Sequence, residues 1–264
     1  MALNEKTIKA YIEDSLKKRN QYEDAKELLD LIYTRVLPEY ENTPFWSSNK
    51  LRQLRKMYFV EYAVQECDLL KYKVHIPDLL FATVCTDIAL VEDEFRPLYR
   101  IKNLGIESAR VTKDKFKDIL VDHFNYKHYD ETASIIPSIR AFQTFTSVNN
   151  LYTSKVSYNQ PMYSSYLYDI HHLSEFFTIG FSGYMKTIMH DKMYLAGIDI
   201  VDATAEEEDK FYNLALNELK ALYGRSGTYT IQSKVFAESP KITELYNKMK
   251  DLITKAESKE NSNA

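Results

Sequence analysis

Residues 77–95 read PDLLFATVCTDIALVEDEF, and this stretch decides the fold. Pro77 stands where proline is best tolerated, in the first turn of a helix, because its missing N–H would have no helical partner there. Leu80, Phe81, Val84, Cys85, Ile88, Ala89 and Val91 leave almost no polar face before Glu92. A helix that is apolar on all sides lies inside a bundle. The spacing therefore predicts a central core helix over 78–95, stopped by Pro97. Asp87 interrupts the pattern. A carboxylate buried there needs a partner or a raised pKa, and either can mark a site. The residues predict Asp87 as a buried polar group, bonded to an arginine or a tyrosine hydroxyl inside the bundle, or else lining a small-molecule pocket between helices.

Helical spacing extends outward on both sides. Residues 4–37 carry apolar stripes at Ile8, Tyr11, Ile12 and Leu16 and again from Ala25 to Val36, with a break expected at 19–21. Pro38 ends this segment, and a loop over 39–48 follows with Pro44, Phe45 and Trp46. A helix from about 49 to 72 has Leu51, Leu54, Tyr58, Tyr62 and Leu69 as its expected buried edge. The basic run on it, Lys50, Arg52, Arg55 and Lys56, reads as a solvated face. Residues 103–108 read as a turn, 113–124 as a helix capped by Thr112, and 125–139 as irregular. From residue 140 aromatic and β-branched residues predominate: Phe142, Thr144, Thr146, Val148, Tyr152, Val156 and Tyr158. That composition predicts a β-hairpin or β-arm near 140–158.

Residues 166–195 return to helix, with Gly180 and Gly183 marking a kink or a close contact. Thr204 and Glu207 form a capping box, and Glu206, Glu207, Glu208 and Asp209 load the positive end of the helix that follows. Gly224 ends that helix. Residues 228–236 alternate loosely like a short strand, and Ser239 and Pro240 open a last amphipathic helix. The fold class is thus mainly α, a helical bundle with a small β-arm. Residues 1–256 form one domain, with a disordered tail at 257–264.

Composition narrows the function classes. The 264 residues contain 6 glycines, where average usage would give roughly 18. The glycine-rich phosphate loops, nucleophile elbows and dinucleotide turns of many common enzymes are missing. A net charge of −4 argues against sequence-independent nucleic-acid binding. Cys67 and Cys85 sit in apolar segments without metal spacing and read as buried free thiols in a reducing compartment. The charged N-terminal residues do not form a signal sequence, and the longest apolar run, 76–91, is too short and too polar to span a bilayer. A chain made in the cytoplasm, with no membrane partner and no cofactor, is expected.

Two groups of residues offer chemistry or contact. His171 and Glu175 stand one helical turn apart, and His190-Asp191 is an adjacent pair. Imidazoles with carboxylates suit a divalent metal that activates water. On these four residues the chain resembles the metal-dependent HD phosphohydrolases. That resemblance implies metal ligation and phosphohydrolase activity, and would require a late aspartate such as Asp199 or Asp202. The second group is aromatic: Phe45, Trp46, Tyr152, Tyr158, Tyr163 and Tyr166. With nearby asparagines, these have the composition of an adaptable protein interface.

A further resemblance lies later in the chain. Ala196-Gly197-Ile198, then Ala203-Thr204-Ala205-Glu206-Glu207-Glu208, and finally Leu219, Leu222, Tyr223, Gly224 and Arg225 resemble the opening helix of tailed-phage head–tail connector proteins. These are helical subunits that assemble as rings beneath a portal. The resemblance implies a non-enzymatic assembly protein, a homo-oligomer with protein partners, located in the virion.

Overall fold

The computed structural model describes residues 3–67, 69, 74–92, 104–124, 135–142 and 163–263, with side chains up to residue 256. Among them the chain is helical and no strand occurs. Helix α1 (Glu5–Lys18) is capped by Asn4, whose side chain accepts from the Thr7 amide at 3.0 Å. The expected break at 19–21 is present: Asn20 takes a positive φ of 56° and α2 (Tyr22–Leu31) begins beyond it. Short helical turns over Ile32–Val36 and Leu37–Tyr40 lead to the Phe45 loop.

Helix α3 (Lys50–Cys67) is buried on more than one face, and this corrects the solvated reading of its basic run. Arg52 and Lys56 are buried beside Leu54, Met57 and Val60. Helix α4 (Ile76–Cys85) carries Pro77 in its first turn as expected, but ends earlier than its apolar run. The Thr86 hydroxyl donates back to the Thr83 carbonyl at 2.8 Å, the chain turns at Asp87, and a 3-10 turn over Ile88–Val91 follows. Leu80, Val84 and Ile88 are fully buried, and Tyr40 donates its hydroxyl to the Val84 carbonyl at 2.5 Å.

Helices α5 (Leu104–Lys115) and α7 (Ile135–Ala141) pack on α4, and α6 (Lys117–Phe124) reaches it through Phe124 against Phe81. Helix α5 begins inside the stretch read as a turn. Gly105 lets it approach α7 closely, since a Cβ there would lie 2.7 Å from the Ile139 carbonyl oxygen. Residues 140 and 141 end α7 and do not open a β-arm. Phe142 is buried in the turn that follows, and the rest of the expected arm from residue 143, including Tyr152 and Tyr158, lies outside the described residues.

Helix α8 (Ser164–Leu195) is the spine, packing on α3, α4, α7, α9 (Ala205–Tyr223) and the last helix, α11 (Pro240–Asn263). It is interrupted at Gly180, where φ is 68°, a conformation glycine adopts without a steric penalty. The capping box of α9 is formed as read: Glu207 N–H donates to Thr204 Oγ1 at 3.3 Å, and Thr204 N–H donates to Glu207 Oε2 at 2.9 Å. Thr204→Ala is expected to cost about 1 kcal/mol, measurable as a lowered urea midpoint at unchanged slope.

The expected strand at 228–236 is instead a loop running into α10 (Lys234–Glu238). The buried Asp169 carboxylate accepts from the Ser233 amide at 2.7 Å, the Gln232 amide at 3.0 Å and the Tyr229 hydroxyl at 3.1 Å, so this backbone pairs with a side chain of α8. Helix α11 continues through Asn263, so residues 257–263 extend a helix where a disordered tail was expected. One apolar core runs from Ile8 to Ile253. No helix among the described residues is long and apolar enough to cross a membrane.

Candidate functional site

Two places concentrate unusual residues: a charged centre inside the bundle and an apolar groove at one end of α8. The inner centre is built by α3, α4 and the first half of α8. Arg52, Arg55 and Lys56 stand at i, i+3 and i+4, so they share one face of α3. That face meets Asp87 and the α8 residues His171 and Glu175. Lys56 Nζ lies 2.5 Å from Asp87 Oδ2 and 2.9 Å from Thr86 Oγ1, with both side chains of the ion pair essentially inaccessible. Gln53 donates to Asp87 Oδ2 at 3.2 Å, and His171 Nδ1 stands 3.4 Å from Asp87 Oδ1. Asp87 is therefore buried and partnered as expected, by a lysine and a glutamine in place of the arginine or tyrosine foreseen.

Electrostatics follow from this burial. Desolvation lowers Lys56 to about 8 against the opposing pull of Asp87, so the ammonium stays charged at neutral pH. Burial pushes the Asp87 carboxyl up, but the Lys56 ammonium and His171 outweigh it and hold the group well below the usual carboxylate range. Burial lowers His171 to about 4, leaving a neutral imidazole. Burial raises the Glu175 carboxyl despite Arg52 and Arg55. The cation among these oxygens is the chain's own ammonium.

The four residues read as metal ligands do not converge. His171 and Glu175 share one face as expected, but His171 faces Asp87, and Glu175 faces Arg52 and Arg55. His190 and Asp191 lie beyond the Gly180 break, at a separation that along an unbroken helix would be about 22 Å between Glu175 and His190 and about 28 Å between His171 and His190. Among the described residues no three His, Cys, Asp or Glu side chains are placed to hold a metal ion. Cys67 and Cys85 are free and buried, as read.

Asp191 instead fixes the Trp46 loop. Its carboxylate accepts the Trp46 amide at 2.6 Å and the Ser47 amide at 3.1 Å, while His190 stacks on the Trp46 ring with centroids 4.1 Å apart. Trp46 keeps 41% of its surface exposed, and with Phe181, Met185, Met189, Met193, Ile200 and Tyr212 it lines a groove of about 590 Å³. Asp191→Ala leaves two backbone amides without their acceptor. It is expected to cost about 1–3 kcal/mol and to shift Trp46 fluorescence to the red. An unchanged emission maximum would show that the loop is held otherwise.

The remaining described aromatic candidates belong to the interior. Phe45 is fully buried against Tyr194, Tyr163 is buried with its hydroxyl 3.3 Å from Asp78, and Tyr166 is buried against Phe236. They are core residues and offer no surface for a partner, which corrects their reading as interface. Sequence reasoning missed Met185, Met189 and Met193, whose spacing of four marks one helical face, and it missed Arg52 and Lys56 as interior groups.

No protein-family model matches this chain, and neither a curated protein nor a solved structure is significantly similar to it.

Proposed function

We propose that the chain is a non-enzymatic assembly subunit that binds a second copy of itself through the Trp46 groove. The observation that carries this reading is a methionine-lined groove beside a loop on the same chain that exposes Val201. Val201 is 86% exposed and adjoins Ile200 of the groove wall, and Tyr194 and Leu195 next to it are 44% and 45% exposed. Apolar patches of this kind mark interaction sites, and unbranched methionines adapt to the side chain that enters.

Charge favours a second copy as the occupant. Lys186 and Glu208 both line the groove and are exposed. In the contact proposed, about a two-fold axis across the groove, Lys186 of one copy meets Glu208 of the other and each Val201 enters the opposite groove. Such an isologous contact closes as a dimer, while a head-to-tail version gives a ring where its rotation closes and a filament where it does not. The ring is the arrangement of the tailed-phage connectors that residues 196–225 resemble.

Size-exclusion chromatography with light scattering tests the reading. The unmodified chain should elute at a multiple of its 30.9 kDa mass. Met189→Glu should elute as a monomer with unchanged circular dichroism. A strict monomer at high concentration, or an oligomer indifferent to Met189→Glu, would overturn it.

A further inference from the structure

The inner charged centre lies apart from the groove lining, although Arg52 also donates to the Ser47 carbonyl of the Trp46 loop. Against Arg52, Arg55 and Lys56 the described residues set two carboxylates, Asp87 and Glu175. Asp87 is engaged closely by Lys56, but Glu175 is held loosely. Its oxygens lie 3.7 Å from Arg52 Nε and 3.5 Å from the nearest Arg55 nitrogen, although its side chain is wholly buried. A charge-assisted N–H···O bond measures about 2.7–2.9 Å. Glu175 Oε1 and Arg55 Nε are both buried and make no hydrogen bond. Buried polar atoms are normally satisfied, and a loosely paired buried ion pair does not repay its desolvation.

We propose that Arg55 and Arg52, above Glu175, form a binding site for a tetrahedral oxyanion, the phosphate group of a small phosphorylated compound. The Arg55 guanidinium fork matches such an anion in shape and charge, and its Nε supplies an N–H that no described residue uses; Arg52, whose terminal nitrogens donate to the Ser47 and His171 carbonyls, adds positive charge beside it. Lys56, one turn along the same face, adds positive potential from inside. Burial raises the Glu175 carboxyl against the pull of Arg52 and Arg55, which lowers the cost of protonating it when an anion binds beside it. The approach is at the outer edge of the cluster, where the Arg55 and His171 side chains keep 17% and 21% of their surface.

Thermal shift and titration calorimetry of the full chain with inorganic phosphate test this, with sulfate and acetate at matched ionic strength. Saturable stabilisation by phosphate and sulfate but not acetate is expected, with at least a tenfold loss of phosphate affinity in Arg55→Gln. Arg55→Lys keeps the charge and loses the fork, and should also bind phosphate more weakly, which serves if Arg55→Gln does not fold. Absence of saturable binding, equal binding in the variants, or acetate binding as tightly as phosphate would each overturn the proposal.

Discussion

Asp87→Ala should destabilise the protein by about 3–5 kcal/mol, the cost of removing one partner from a buried ion pair. The variant leaves Lys56 with a fully buried ammonium whose remaining hydrogen bond among the described residues is to the Thr86 hydroxyl, and it removes the acceptor of the Gln53 amide. The lysine can shed its proton, and because its pKa is already lowered to about 8, that route caps the loss. Replacing both partners at once, Lys56→Met with Asp87→Leu, should restore much of the stability, since neither charge is then stranded. Urea unfolding of the two single variants and the double variant checks this. Additive losses in the double variant would show that the pair does not act as a unit.

Leu80→Ala should cost about 2–5 kcal/mol, because it opens a cavity where α4 is enclosed on every side. Leu80 is fully buried, as are Leu79, Phe81 and Val84 beside it, so little of the surrounding packing is free to collapse into the gap. Ile88→Val, one methylene smaller at a site equally buried, should cost only about 0.5–1.5 kcal/mol. Denaturant midpoints at constant slope separate the two cases. A Leu80→Ala loss below 1 kcal/mol would mean that α4 is not the centre of the core.

Local signals were legible in the sequence. The Thr204 capping box, the Pro77 start, the break at residues 19–21 and the Gly180 interruption each depend on residues a few positions apart, and each stands where it was read. Contacts across the fold were not legible. Arg52 and Lys56 look solvated because nothing near them in the chain reveals that α8 and Asp87 lie against their face. Asp191 looked like half of a metal motif because its true partners, the amides of Trp46 and Ser47, are remote in sequence. The loop at 229–233 looked like a strand because its alternation could not reveal that the Asp169 carboxylate takes its amide hydrogens. Phe45 and Trp46 are neighbours with opposite fates, one buried and one exposed, and composition alone treats them alike.

The self-assembly reading is tested most directly by a cross-link between copies. Val201→Cys on one preparation and Met189→Cys on another place a thiol on the exposed loop and a thiol in the groove, while the native Cys67 and Cys85 stay buried. Mixing the two under mild oxidation should give a disulfide-linked heterodimer, and either variant alone should give far less. Absence of the mixed disulfide, while each thiol still reacts with a small reagent, would contradict the groove as the contact between copies.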